Sequence, residues 1–134
     1  MRENELEQRQ MEMAKILTAL QAQEDKLRNI IASQIKNNEQ LEILYSSSDL
    51  DLVQIDGHKG FSIKLTSDAK NQERIINNTK NLLKIKQKEV LEAHKKVEIL
   101  KKLKEKQEQE YYKEFLQAEI KEIDDITSAR FKIG

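Results

Sequence analysis

His58 and His94 are the two histidines of the chain, and histidine is the residue type best suited to proton transfer near neutral pH and to metal binding. Neither lies near a second ligand at a spacing typical of metal sites. The chain has no cysteine, which excludes a thiolate metal site, a cysteine nucleophile and a disulfide. It also lacks a glycine-rich loop that could hold phosphates. The sequence therefore predicts a protein that is not an enzyme and has no catalytic, metal or cofactor site.

The charged side chains make up 36% of the residues and balance to a net charge of zero, but they are segregated. Residues 80–106 contain ten lysines against four acids, whereas residues 107–125 contain seven acids against Lys113 and Lys121. One explanation is a solvated helix face stabilised by pairs four residues apart. The other is that the charges select partners along the helix. Nucleic acid is disfavoured, because the lysines are not interleaved with aromatic residues and the chain is neutral.

The elements that must carry these residues are predicted to be long helices. The chain has no proline and only three glycines. Apolar residues recur three and four positions apart in the first third, as expected for a coiled-coil seam, and helix 1 is predicted over about 3–46. The predicted seam of helix 1 consists of Met13, Ile16, Leu20, Leu27, Ile30, Leu41 and Leu44, with the polar members Gln23, Gln34 and Asn37.

A break is predicted over residues 47–66, where a Ser-Ser-Ser-Asp cluster precedes Gly57 and Gly60. Phe61, Ile63 and Leu65 alternate with polar residues after an Asp-Gly pair, which is the pattern of a β-hairpin. The alternative is an irregular loop, because a two-stranded hairpin is only marginally stable by itself. On either reading His58 would be an ordinary exposed residue of the turn.

Helix 2 is predicted over about 67–131, with Ser67 as its N-cap. Its predicted seam consists of Ile76, Thr79, Leu83, Lys86, Val90, Ala93, Val97 and Leu100. Folding about residue 56 would place residue i opposite residue 112 − i, so that Leu27 meets Ile85 and the chain beyond Tyr111 has no helix opposite it. The expected fold is all-α: an antiparallel coiled-coil hairpin, residues 1–134, forming one elongated domain with a longer C-terminal helix.

The predicted projection beyond Tyr111 carries apolar side chains that a solvated helix does not need, and a helix face of this kind usually marks a binding surface. The alternatives are that the projection bends back, frays or pairs in a homodimer. The N-terminal residues MRENELEQRQ are too polar for a signal peptide, and no apolar run approaches the length of a membrane span. We therefore expect a soluble protein, and the lack of cysteine suits a reducing cytosol.

The C-terminal third resembles a known family. Residues 97–106, Val-Glu-Ile-Leu-Lys-Lys-Leu-Lys-Glu-Lys, are followed by Tyr111-Tyr112, Glu119 and Ile123-Asp124-Asp125. This order is similar to the C-terminal helix of the bacterial flagellar export protein FliJ family, with Asp125 in place of the usual Glu. The N-terminal residues depart from the family, whose opening is often aromatic and leucine-rich.

The resemblance implies a cytoplasmic component of the flagellar type III export apparatus, peripheral at the cytoplasmic face of the inner membrane. Proteins of that family form a stalk-like antiparallel coiled coil that binds and promotes the hexameric export ATPase, and that links it to the export gate membrane protein and to export chaperones. The residues expected to face partners at the projection are Tyr111, Tyr112, Phe115, Leu116, Glu119, Asp124 and Asp125. The exposed surface near Tyr45 or Ile75 is the expected region for the gate.

Two other functions agree with the sequence. A prefoldin-like chaperone subunit also has a helix, a β-hairpin and a helix, and the pattern from Leu50 to Leu65 supports it. A purely structural coiled coil that dimerises through the projection is the third possibility. Neither alternative involves an enzyme, a cofactor or insertion into a membrane.

Overall fold

The computed structural model describes the backbone of residues 2–133 and the side chains of residues 3–130. The described chain consists of two α-helices, α1 (Arg2–Ser46) and α2 (Leu52–Ile133), and contains no strand. The helices pack against each other as a hairpin, which confirms the predicted all-α fold and its longer C-terminal helix.

The residues of both helices contribute to two compact units. One unit is Glu7–Leu91, which includes the connection between the helices. The other unit combines the residues up to Leu6 with the residues from Glu92 onward. The expectation of a single elongated domain stays a prediction.

The connection is much shorter than the sequence predicted, because α2 begins at Leu52 and not at residue 67. Asp51 is the N-cap of α2: its Oδ1 accepts a hydrogen bond from the backbone N–H of Gln54 at 3.2 Å. The carbonyl of Asp51 accepts from the N–H of Ile55 at 3.0 Å, which closes the first helical turn. The connection is therefore residues 47–51, and the predicted break over 47–66 is wrong from residue 52 on.

The predicted β-hairpin, and the alternative of a loop, are wrong for residues 52–65, which are helical. A strand would place Ile63 and Leu65 on the same face. In the helix Leu65 is buried together with Ile55, whereas Ile63 is 73% exposed. Gly57 and Gly60 lie inside the helix with negative φ angles, so the Asp-Gly pair forms no turn.

The seam between the helices follows unbroken heptads on both sides, and the predicted seam residues of helix 1 are buried or half-buried. On α2 the same pattern extends from Ile55 to Val97, further toward the N-terminus than predicted. The buried apolar residues among those described are Ile55, Leu65, Ile76 and Ala93. Two helices cannot enclose a side chain on all sides, so the core is a narrow seam.

The register of the hairpin differs from the predicted one because the connection is shorter. Asn37 contacts His58 and Gln23 contacts Gln72, so residue i lies opposite residue 95 − i and not 112 − i. Ile85, the expected partner of Leu27, is 55% exposed.

The seam on α2 also ends earlier than expected. Ala93 is buried and Val97 half-buried, but Leu100, predicted to belong to the seam, is 41% exposed. Leu103 is exposed as well. The predicted register placed residues 100–106 of the FliJ-like motif against α1, but their side chains are exposed.

Candidate partner-binding face

The C-terminal part of α2 is a helix whose side chains are all in contact with solvent. Every described side chain from Glu98 to Arg130 is exposed. At 1.5 Å per residue this segment is about 50 Å long. No proline or glycine interrupts it, and oppositely charged residues four apart, such as Lys104 and Glu108 or Lys106 and Glu110, favour the helix without tertiary support.

Large apolar side chains nevertheless occur at intervals along this exposed helix. Tyr112 is 63% exposed, Ile123 is 62% exposed and Ile126 is 51% exposed. A helix turns by about 100° per residue, which brings residues three, four and seven apart onto one face. Five residues therefore lie within about 80° of one another around the helix axis: Tyr112, Leu116, Glu119, Ile123 and Ile126. We call these five residues the stripe.

The helix does not bring all of the sequence-predicted site residues together. Tyr112, Leu116 and Glu119 belong to the stripe, and Phe115 borders it. The other three, Tyr111, Asp124 and Asp125, point more than about 100° away from the centre of the stripe.

Ile123 and Ile126 belong to the stripe but were not among the predicted partner-facing residues. Their spacing of seven from Leu116 and three from each other was the signal in the sequence that places them there.

The stripe is not a continuation of the hairpin seam. Ala93 and Val97, the last residues of the seam on α2, lie about a quarter turn around the helix from the centre of the stripe. If the heptad spacing of the seam is continued beyond Leu100, most of the positions it reaches are polar, including Lys104 and Gln107. The stripe is thus a separate apolar face and not the unused end of the α1-binding surface.

The charges around the stripe are unevenly placed. Glu119 lies at the middle of the stripe, and Glu108 lies on the same face one turn before Tyr112. Lys113 and Lys121 lie about 100° and 180° from the centre of the stripe. Arg130 lies on the same face one turn after Ile126, so the face carries charges of both signs, whereas Lys113 and Lys121 are turned away from it.

His58, the strongest candidate for chemistry elsewhere, has a structural role. It is half-buried on α2 and not in an exposed turn as predicted, and its Nδ1 lies 2.7 Å from Oδ1 of Asn37. An open groove of about 320 Å³ borders this pair, but its other lining residues are Ser33, Lys36, Gln40 and Phe61, which supply no catalytic or metal-binding set. His94 is exposed. Among the described residues, no three His, Cys, Asp or Glu side chains are grouped to hold a metal ion.

The region expected to face the export gate has one exposed aromatic residue. Tyr45 is 52% exposed, and Nζ of Lys59 lies 5.8 Å from the centroid of its ring. Ile75 is half-buried. Large apolar side chains close to Tyr45 in the sequence are exposed as well, namely Ile43, Leu50, Leu52 and Val53.

The described helices contain no segment that is both long and apolar enough to span a membrane. Comparisons with protein-family models, with curated proteins and with solved structures give no match to this chain. Membership of the FliJ family therefore stays a prediction that depends on the motif residues quoted above.

Proposed function

We propose that this chain is a non-enzymatic docking protein that binds a partner protein through the stripe on α2. The observation that carries the proposal is the exposure of Tyr112, Ile123 and Ile126 on one face of a helix that has no neighbouring helix along residues 98–130 among those described. Apolar faces of this kind favour helix-in-groove binding, in which residues three, four and seven apart act as anchors.

The FliJ-like motif supports a specific partner, the hexameric ATPase of a flagellar type III export apparatus. A stalk needs a stiff helix pair and a helix that extends beyond it, and the hairpin with its longer α2 provides both elements. In this proposal the chain promotes the ATPase and links it to the export gate membrane protein and to export chaperones. Its location would be the cytoplasm, peripheral at the inner membrane.

The structure weakens the prefoldin-like alternative. That reading depended on a β-hairpin between Leu50 and Leu65, and residues 52–65 are helical. A purely structural dimer remains as the second candidate, favoured by the same exposed stripe.

The experiment is a binding titration of the purified full-length chain against the export ATPase of the same organism. The double variant Tyr112→Ala with Leu116→Ala should weaken binding by about a hundredfold, since removing anchor residues typically costs 2 kcal/mol or more. Its helicity by circular dichroism should not change, because both side chains are exposed.

A matched control is the double variant Ile63→Ala with Ile85→Ala, which removes two exposed apolar side chains from α2 away from the stripe. It should bind as the unaltered chain does. No binding by the unaltered chain would reject the ATPase as partner, and equal loss in both double variants would reject the stripe as the binding face.

A further inference from the structure

The end of the hairpin that carries the connection between α1 and α2 exposes large apolar side chains. Leu52 is 72% exposed and Val53 is 83% exposed, and both lie in the first turn of α2. Ile43, in the last turn of α1, is 62% exposed. Leu50, in the connection, is exposed as well. We call Ile43, Leu50, Leu52 and Val53 the tip.

The N-cap of α2 accounts for only one of these side chains. Leu50 directly precedes the cap residue Asp51, and Ile55 is the fourth residue of α2, which is the spacing of a hydrophobic staple. Leu52 and Val53 are the first two residues of α2, and their exposure places them outside the seam. The first turn of a helix gains stability from acidic residues and from capping, and neither side chain supplies this. Contact with a partner would give both side chains a role.

The charges at this end of the hairpin are mostly negative. Residues 36–59 contain five carboxylates against two lysines, and all five carboxylates are exposed: Glu39, Glu42, Asp49, Asp51 and Asp56. Lys36 and Lys59 are the two ends of this range, and residues 37–58 contain no Lys or Arg. Nζ of Lys59 lies over the ring of Tyr45, 5.8 Å from its centroid. The tip is thus an apolar surface bordered by carboxylates that the local lysines do not balance.

Two of these carboxylates do not stabilise the end of α1. Glu39 and Glu42 lie in the last two turns of that helix, where the helix dipole favours positive charge, and the last turn holds no basic residue. Together with Ile43, Ser46 and Ser47 they line an open groove of about 660 Å³. A Lys or Arg side chain suits such a groove, because its aliphatic stem can pack on Ile43 while its charge meets the carboxylates.

A second copy of the chain or a lipid surface would cover the tip poorly. Contact between two tips brings like charges together, since residues 36–59 carry three more negative than positive charges. Anionic lipids are repelled for the same reason. The lysine-rich residues 80–106 of a second copy would supply the charge but no apolar face, because the exposed large apolar side chains from Leu82 to Leu103 are spread over about half of the helix circumference.

We propose that the tip docks on a second protein through an apolar pocket bordered by Lys or Arg side chains, one of which enters the groove beside Glu39 and Glu42. The inference goes beyond the proposed function, because the tip shares no residue with the stripe. One chain can then hold two different partners at once.

The test measures binding of a designed helical peptide that has leucines on one face bordered by lysines, and of the same peptide with glutamates in place of the lysines. The full-length chain carries Tyr112→Ala with Leu116→Ala, so that the stripe does not contribute. This chain should bind the lysine peptide at least about tenfold more tightly than the glutamate peptide. Equal binding of the two peptides would overturn the inference, and neither result depends on the ATPase.

Two double variants, added to that chain, locate the apolar part of the site. Leu52→Ala with Val53→Ala should weaken binding of the lysine peptide by about tenfold or more. The matched control, Ile63→Ala with Ile85→Ala, removes two exposed apolar side chains of α2 away from the tip and should stay within about twofold. Equal effects of the two variants would overturn the inference.

The charges are tested in the same way. Glu39→Gln with Glu42→Gln should weaken binding by about tenfold and make it less dependent on salt. The control Glu7→Gln with Glu73→Gln removes two exposed carboxylates outside residues 36–59 and should stay within about twofold. Two further outcomes would overturn the inference. One is sedimentation as a dimer that Leu52→Ala with Val53→Ala dissociates, and the other is binding to vesicles with anionic lipid that the same variant abolishes.

Discussion

Asn37 and His58 form a paired hydrogen bond across the hairpin. Nδ2 of Asn37 donates to the carbonyl oxygen of His58 at 2.9 Å, and Nδ1 of His58 donates to Oδ1 of Asn37 at 2.7 Å. Asn37 is only 4% exposed, so its amide has exchanged water for these two bonds. Together with the short connection, the pair holds residue 37 opposite residue 58.

The pair belongs to a series of polar seam positions. The next pair, Gln23 and Gln72, lies fourteen residues before Asn37 on α1 and fourteen residues after His58 on α2. A third pair, Arg9 and Lys86, lies another fourteen residues along each helix. A slip of one heptad would place Asn37 opposite Leu65, leaving its buried amide without a partner. Isolated polar residues at seam positions commonly specify register at some cost in stability.

The variant Asn37→Ala should lower the free energy of unfolding by about 1–3 kcal/mol, because it leaves polar groups of His58 unsatisfied in the seam. The double variant Asn37→Leu with His58→Leu should be at least as stable as the natural chain but no longer restricted to one register, and it should form mixed oligomers. Chemical denaturation measures the first effect and light scattering the second. A double variant that remains a single species would show that the pair does not determine the register.

Much of the seam could be predicted because heptad spacing survives in the sequence. Met13, Leu20 and Leu83 lie where the pattern places them. The register could not be predicted, because it depends on the length of the connection. The Ser-Ser-Ser-Asp cluster and two glycines favoured a long break, but the cap at Asp51 and packing of Ile55 and Leu65 along the seam favour helix.

The candidate site was partly predictable for the same reason. Exposure of Tyr112 and Leu116 followed from the unequal helix lengths, although the exposed segment begins at Glu98 and not beyond Tyr111. The predicted list joined residues by their closeness in sequence. A helix separates neighbours such as Tyr111 and Tyr112 by about 100°, so only part of that list shares a face.

Gln23 and Gln72 form an asymmetric pair. Nε2 of Gln72 donates to the backbone carbonyl of Gln23 at 2.8 Å, whereas Oε1 of Gln23 is buried and has no hydrogen-bond partner among the described residues. The variant Gln23→Leu should therefore raise the free energy of unfolding by about 1–2 kcal/mol, since it removes an unsatisfied acceptor from the seam. Gln72→Leu, which instead removes the bonded partner, should gain less. Thermal and urea denaturation of both variants measure this, and a destabilised Gln23→Leu would contradict it.

Four charged residues form an ion-pair cluster at the other end of the Glu7–Leu91 unit. Nζ of Lys86 lies 3.2 Å from Oε2 of both Glu12 and Glu89, and Arg9 lies 3.4 Å from the same two oxygens. The hydrogen bond from Lys86 lowers the pKa of Glu12 below its ordinary value of 4.5. Hydrogen bonds to Glu89 and then to Glu12 raise the pKa of Lys86 above 10.5.

A carboxyl with a lowered pKa stabilises the fold above its unfolded pKa, and that contribution is lost as the pH falls. A lysine with a raised pKa stabilises the fold below its unfolded pKa, and that contribution is lost as the pH rises past the folded one. The stability difference between the natural chain and Glu12→Gln should therefore be constant between about pH 5 and 10 and shrink below pH 4.5. Urea denaturation across pH measures it, and high salt should reduce it. A difference independent of pH would contradict the cluster.

The N-cap of α2 gives a direct test of where that helix begins. Asp51→Ala should lower the free energy of unfolding by about 1 kcal/mol, because it removes the acceptor for the N–H of Gln54. Ser67, the cap expected from the sequence, lies exposed inside α2, so Ser67→Ala should change stability by less than about 0.5 kcal/mol. The reverse order of effects would mean that the helix begins near residue 67.

Gly57 and Gly60 test the same segment from the opposite direction. Both have negative φ angles inside α2, and a Cβ atom added at either position would meet no atom within 4 Å. Gly57→Ala and Gly60→Ala should therefore each raise the free energy of unfolding by about 0.5–1 kcal/mol, because alanine loses less backbone entropy in a helix. In a β-hairpin turn Gly57 would need a positive φ, and alanine there would destabilise the protein instead. The sign of the change in the free energy of unfolding, measured by urea denaturation, separates the helix from the hairpin. If both variants are stabilised and still bind the ATPase as the natural chain does, the two glycines do not take part in binding at the stripe.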